Sequence, residues 1–186
     1  KENSNHGAII TIRDITVEKG RQEEIQYISQ HDFLTGLHNR YFFEEEMKRL
    51  NTERQLPLSI ILGDINGLKL LNDSFSHLEG DSLIVEMASI LKKAVRAEDI
   101  VARWGGDEFV VLTEFSNLDP NDIITNFQNE TGKVKIKSFT LSAAIGYAIS
   151  NDDEKNIYNL INQAESMMYD NKSFESLSTK RILIDN

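Results

Sequence analysis

Residues 58–64 read LSIILGD, an unbroken apolar run of strand length that closes on a carboxylate. Successive side chains of a strand point to opposite faces, so such a run must be covered on both. A chain that contains it is committed to a layered fold, with helices packed on a central sheet. The run also delivers Asp64 to the edge of that sheet. An ionised carboxylate there is costly unless it opens onto a cleft or meets a cation. The plainer alternative is a turn acid at a strand end.

The flanking sequence supplies the layers. Gly7–Val17 (GAIITIRDITV) reads as a β-branched strand, and Glu18–Gln30 as a charged helix with Ile25 and Ile28 at i, i+3 spacing. That helix is either an ordinary surface helix or a connection between a sensor and an effector. Asn39 is placed to cap a helix through Tyr41, Phe42, Met47 and Leu50. Leu83, Ile84, Met87, Ala88, Leu91 and Val95 recur at three- and four-residue steps and mark a long amphipathic helix. Ile100–Thr113 holds two β-rich runs split by Gly105-Gly106, a hairpin signal. Asp119-Pro120 opens a short helix to about Asn129, and Val134–Ile149 holds a further strand with a hairpin around it. Ile157, Leu160, Ile161, Ala164 and Met168 form the last helical stripe, and Arg181–Ile184 is expected as a closing strand. The order strand, helix, hairpin, helix, strand, helix predicts an α+β fold with a ferredoxin-like core.

Composition narrows the partners. Thirty acidic against twenty basic residues give a formal net charge of −10, which repels a nucleic acid polymer. A small nucleotide is still admissible, because a divalent cation neutralises its phosphates locally. With no cysteine, disulfides and thiolate metal sites are excluded. The apolar runs are too short to cross a bilayer, and no signal-peptide pattern opens the chain. A cytoplasmic setting is expected. Lys1 in the place of Met suggests a piece of a longer protein, which would carry any membrane anchor.

The chemistry concentrates in Arg103-Trp104-Gly105-Gly106-Asp107-Glu108-Phe109. Two glycines at a hairpin tip remove both Cβ atoms, so backbone N–H groups can approach a phosphate chain. Two carboxylates follow where the strand resumes. Strand alternation predicts that Asp107 shares a face with Phe109 while Glu108 points the other way. A plain Gly-Gly turn with solvated acids is the alternative. Asp64 and Asp107 on neighbouring strand ends would offer the hard oxygen ligands that Mg²⁺ prefers, with Lys69 nearby.

The segments DFLTGLHNR (Asp32–Arg40), DINGLKLLND (Asp64–Asp73), SHLEGD (Ser76–Asp81) and RWGGDEF (Arg103–Phe109) resemble, in order and spacing, the signature blocks of the GGDEF family of diguanylate cyclases. The resemblance covers about residues 32–173. It implies a polymerase-palm-like, nucleotidyl-cyclase-like fold in which two GTP-loaded domains face each other as a homodimer. Each 3′-hydroxyl attacks the α-phosphate of the opposite GTP, and cyclic di-GMP and two pyrophosphates result. By the same resemblance Asp64, the Ile65 carbonyl, Asp107 and Glu108 bind Mg²⁺ (or Mn²⁺), and Asp107 stands where the family's proposed base lies. Asn72 and Asp81 read the guanine edge; Lys69, Lys172, Gly105 and Gly106 meet the phosphates. His77 lies in the nucleotide block, although a capping or packing role fits it equally. Arg96 and Asp99 have the RxxD spacing of the family's product-inhibition site, where a helix-end surface ion pair is the bland reading.

Three departures stand out. Ser76 replaces the usual glycine before the histidine. Asn66-Gly67-Leu68 replaces an acid-then-aromatic stretch. Glu175, Ser176 and Leu177 stand where Gly-Arg-Asn is usual, so a phosphate-binding arginine is missing unless Lys180 or Arg181 loops back. The loss favours a rival reading, a receptor that binds GTP or cyclic di-GMP and regulates an attached effector. A pure dimerisation module would not need the Asn72–Asp81 pair. Residues 1–19 resemble the end of a PAS sensor and 20–31 its linker helix, with the GGDEF domain over 32–186. The tail NKSFESLSTKR resembles endings that run into an HD-type phosphodiesterase.

Overall fold

The computed structural model describes residues 14–50, 58–114, 120–150 and 157–184, with residues 114, 120 and 173–184 by backbone alone. Helix α1 (Thr16–Gln30) opens the described chain. The strand expected over Gly7–Val17 lies mostly outside the described residues, and its last two residues belong to α1 instead. The cause is local: the Asp14 carboxylate accepts from both the Thr16 N–H (2.9 Å) and its hydroxyl (2.7 Å), which turns the chain into the helix. No residue of α1 is buried.

A two-residue strand β1 (His38–Asn39) leads into α2 (Arg40–Leu50). Asn39 caps α2, its Oδ1 accepting from the Phe42 N–H at 2.9 Å. The buried face of α2 is Phe43, Met47 and Leu50, while Tyr41 is exposed. Next come β2 (Leu58–Ile65), α3 (Leu68–Ser74), α4 (His77–Ala94), β3 (Ile100–Arg103) and β4 (Glu108–Glu114). Helix α5 (Pro120–Thr131), the small hairpin β5 (Lys135–Ile136) and β6 (Phe139–Thr140), β7 (Ala143–Ser150) and α6 (Ile157–Ile184) complete the order.

The main sheet runs β1-β3-β4-β2-β7. Every pairing is antiparallel except β1 with β3. Without β1, this is the ferredoxin-like order predicted from the sequence. All eight residues of β2 are buried, because the strand lies between two cores. Ile61 and Ile65 face Met87, Phe109 and Phe127 beneath α4 and α5. Leu58, Ile60 and Leu62 face Phe43, Met47, Leu160 and Met168 beneath α2 and α6. Each such side chain contributes about 1.5–3 kcal/mol by leaving water.

Two features of α6 depart from expectation or escaped it. The closing strand expected at Arg181–Ile184 is absent; α6 runs on through Ile184. A helix satisfies its own backbone groups, whereas a four-residue strand needs a free sheet edge to pair with. At its other end α6 lies directly on β7. A Cβ at Gly146 would overlap the Ala164 carbonyl oxygen and the Met168 nitrogen, so only glycine permits this approach. None of the described helices is long and apolar enough to cross a membrane.

Candidate functional site

The β2–β4 ladder sets the site. Its register places Gly63 opposite Phe109 and Asp64 opposite Glu108. Phe109 is sealed into the core under α4 and α5, so the pleat turns Glu108 and Asp64 together toward the α6 face. Asp107 lies in the bend before β4 rather than on the strand, so simple alternation did not place it. Its carbonyl accepts from the Ile65 N–H at 3.1 Å and ties the hairpin to the end of β2.

Helix α6 brings Lys172 to this edge, where its Nζ donates to Asp64 Oδ2 at 2.7 Å. The neighbouring Asn171 fixes the helix by donating to the Ile145 carbonyl at 2.7 Å. Asp64 is only 5% exposed, and its other oxygen, Oδ1, is buried with no hydrogen-bond partner. Burial pushes the Asp64 carboxyl above its ordinary range; the Lys172 bond opposes this and the charge of Asp107 adds to it. Glu108 is pushed up in the same direction by burial, by Asp64 and Asp107, and by Glu165 of α6. Asp64, Asp107 and Glu108 thus crowd one edge, with Glu165 facing them from α6 and one lysine, Lys172, among them. A buried carboxylate oxygen without a donor, beside two more acids, suits a hard divalent cation. Among the described residues no three His, Asp or Glu side chains are already drawn into a closed cluster.

The glycine hairpin is held from behind. Arg103 Nη1 donates to both Asp32 oxygens at 3.2 Å, and its Nε and Nη2 donate to the Gly106 carbonyl at 3.2 and 2.7 Å. Asp32 also accepts from the Thr35 N–H (2.9 Å) and hydroxyl (2.7 Å). Burial raises the Asp32 pKa, but the Thr35 bonds and the Arg103 charge outweigh it and hold the carboxyl below its ordinary range. Trp104 packs edge-on to Phe43 and lies under the Arg40 guanidinium, 4.3 Å from its centroid. None of these positioning roles was read from the sequence. The partners are up to 71 residues apart in the sequence, so no local pattern joins them.

Asn72, Lys69, His77 and Asp81 form a second group on α3 and α4. The turn into α3 requires Gly67, whose φ is 71°. Asn72 Oδ1 is buried without a partner, and a Cβ at Gly80 would overlap it. Gly80, which the sequence reading passed over, therefore makes the space in which Asn72 sits. Lys69 and His77 are exposed, and among the described residues no hydrogen bond or ion pair brings them to the acids.

Arg96 and Asp99 form a third group. They close a turn rather than a surface ion pair. Asp99 Oδ2 accepts from the Arg96 N–H at 2.8 Å, and the Asp99 N–H bonds back to the Arg96 carbonyl at 3.2 Å. The Arg96 guanidinium forms no ion pair among the described residues.

Residues 29–176 match the family described as "Diguanylate cyclase, GGDEF domain". The chain is 29% identical over 160 residues to diguanylate cyclase DgcM of Escherichia coli K12, across 82% of this chain and 39% of that protein. It is 30% identical over 165 residues to the bifunctional diguanylate cyclase/cyclic di-GMP phosphodiesterase MucR of Pseudomonas aeruginosa, across 83% and 23% of the two chains. The chain thus spans well under half the length of these curated relatives. Among solved structures, the coiled coil and GGDEF domain of DgcB from Caulobacter crescentus, bound to c-di-GMP, superposes with a TM-score of 0.74. That match covers 84% of this chain and 88% of that one at 23% identity, and it speaks to the fold alone. The GGDEF domain of YfiN from Pseudomonas aeruginosa superposes with a TM-score of 0.67 over 77% of this chain and 88% of that one, at 30% identity.

Proposed function

The chain belongs to the diguanylate cyclase family through its GGDEF domain, and from that premise we propose that it condenses two GTP into cyclic di-GMP and two pyrophosphates. The observation that supports this most directly is the register pairing of Asp64 with Glu108, beside an Asp64 oxygen that has no protein donor. Asp64, the Ile65 carbonyl, Asp107 and Glu108 are the residues that would hold Mg²⁺ or Mn²⁺. Such an ion, when bound, offsets the charge of the triphosphate and of the leaving pyrophosphate.

The chain's own residues divide the remaining work. The backbone of Gly105 and Gly106 seats the phosphates, with Lys172 and Lys69 as cations. Asn72 and Asp81 select guanine, since a carboxylate accepts from N1–H and the 2-amino group together and adenine lacks that pair. Asp107 takes the 3′-hydroxyl proton as that oxygen bonds to the α-phosphorus of the facing nucleotide. The α,β-bridging bond then breaks, and pyrophosphate leaves with the electron pair. Each domain supplies half of the reaction, so turnover needs a homodimer. Arg96 and Asp99 would receive accumulated product. A cytoplasmic setting, a PAS-like sensor before residue 20 and an HD-type phosphodiesterase after the domain complete the reading.

The test is incubation with GTP and Mg²⁺ over a range of protein concentrations, with products identified by mass. Cyclic di-GMP whose rate rises faster than linearly with protein is the expected result. Its absence at every concentration, with GTP still bound, would leave the second reading, a nucleotide receptor. One observation favours that reading. Because α6 is continuous, Lys180 stands about 12 Å further along the helix axis than Lys172 and does not loop back to replace the missing arginine.

A further inference from the structure

The small β5–β6 hairpin is tied to both halves of the nucleotide site. At its base the Leu141 N–H donates to the Val134 carbonyl at 2.9 Å and closes the hairpin. One residue further, the Ser142 carbonyl accepts from the Asn66 N–H at 2.9 Å, and Asn66 Nδ2 donates to the Ser142 hydroxyl at 3.3 Å. Asn66 directly follows Ile65, so this base is fixed to the acid edge. At the tip, Lys137 Nζ pairs with Glu79 Oε1 at 3.1 Å. Beside it Phe139 packs edge-on against Phe75, with 6.2 Å between centroids. Phe75 ends α3 and Glu79 lies in the first turn of α4. The tip is thus held by the two helices that carry Asn72 and Asp81.

Two observations set the Lys137–Glu79 pair apart from an ordinary surface ion pair. Lys137 has a φ of 56°, alone among the described non-glycine residues in being positive. It is the first central residue of a two-residue hairpin turn, a position that glycine fills at least cost. A lysine there accepts a steric penalty, and what it brings that glycine lacks is the ammonium. The second observation concerns the partner. Glu79 directly precedes Gly80, whose bare backbone makes the space for Asn72 Oδ1. Whatever moves Glu79 moves the wall against which Asn72 rests.

We propose, resting on the reading of Asn72 and Asp81 as the guanine pair, that the β5–β6 hairpin is a strap that holds this pair at a set distance from the acid edge. Lys137 and Phe139 are its positioning residues, and Glu79 and Phe75 are their partners. Neither tie touches the nucleotide. The ion pair is partly exposed and weak by itself, so the strap acts by narrowing the positions open to α3 and α4. Loosening it costs the base its seat and leaves the phosphates theirs.

Calorimetry in Mg²⁺ buffer with two probes tests this. One is 3′-deoxy-GTP, which carries base and triphosphate but lacks the attacking hydroxyl; the other is inorganic tripolyphosphate, which carries the phosphates alone. Lys137→Gly relieves the backbone and removes the ammonium. It should bind 3′-deoxy-GTP about fivefold more weakly, bind tripolyphosphate as before, and melt no lower than the unmodified chain. A merely structural role would move affinity and melting together. Lys137→Glu, which faces two carboxylates, should weaken 3′-deoxy-GTP further, and adding Glu79→Lys should restore most of the loss. The strap fails if Lys137→Gly binds 3′-deoxy-GTP normally, if tripolyphosphate weakens equally, or if the charge exchange restores nothing. Asp81→Asn separates the two readings. If it weakens 3′-deoxy-GTP while Lys137→Gly does not, the guanine pair stands without the strap; if it too binds normally, both fall.

Discussion

Two aspartate–cation pairs lie beside the glycine hairpin, one joining Asp32 to Arg103 and one joining Asp64 of β2 to Lys172 of α6, and they are built on opposite terms. Asp32 meets Arg103 through two bonds, receives two more from Thr35, and is held in its ionised form. Asp64 meets Lys172 through one bond, leaves its other oxygen without a donor, and is pushed toward its neutral form. The first pair is complete within the protein. The second leaves one carboxylate oxygen without a donor among the described residues. The difference separates an ion pair that positions the hairpin from one whose carboxylate is left half-bonded, although both join one carboxylate to one long cationic side chain.

The sharpest way to break the comparison is Asp107→Ala. Cyclic di-GMP formation should fall by at least about a hundredfold with Tm unchanged, as measured by product mass and thermal melting. Retained activity would remove the acid edge from the chemistry. Arg103→Ala should do the reverse. It leaves Asp32 part-buried without its cation and the Gly106 carbonyl without its donor, at a cost of about 2–3 kcal/mol in denaturant unfolding. An unchanged denaturation midpoint would show that the hairpin needs no support from behind.

The pH dependence of stability sharpens the same contrast. Asp32 has a folded-state pKa below its ordinary value, so its contribution is present above that value and is lost as pH falls through the depressed one. Asp64 and Glu108 have raised pKa values. For them the folded state binds protons more tightly, so stability declines as pH rises from the ordinary carboxylate range through the raised values. Glu108→Gln should therefore raise Tm at neutral pH by about 2–4 °C while abolishing turnover. A lowered Tm would mean that the acids are not in conflict. The smallest expected effect is that of Mg²⁺ on that variant. The ion should raise the Tm of the unmodified chain and narrow the gap to Glu108→Gln.

Much of this was legible in the sequence because it is local. The LSIILGD run dictated a strand between two layers, Asn39 announced the start of α2, and Gly105-Gly106 marked the hairpin. Asp64 was singled out because a strand-end carboxylate is costly. What the sequence hid depends on register and on long-range contact. Glu108 rather than Asp107 stands across from Asp64, since the bend consumes Asp107 before the pleat begins. Arg103 looked like one residue of a motif, and nothing local said that its guanidinium turns back to Asp32. Glu165 is an unremarked surface acid on α6 until the helix is laid beside Glu108. Arg181–Ile184 looked β-like because four residues carry too little pattern to oppose the helix that runs into them.

Gly146 has a reach that its chemistry would not suggest. Because α6 rests on bare backbone there, even one methyl group would wedge the helix upward, and Lys172 would rise with it. Gly146→Ala would then resemble an active-site lesion in a turnover assay, although the altered residue contacts neither nucleotide nor acid. A screen that sorts variants by activity alone would place it among the catalytic residues, and only the height of the helix above the sheet would tell them apart.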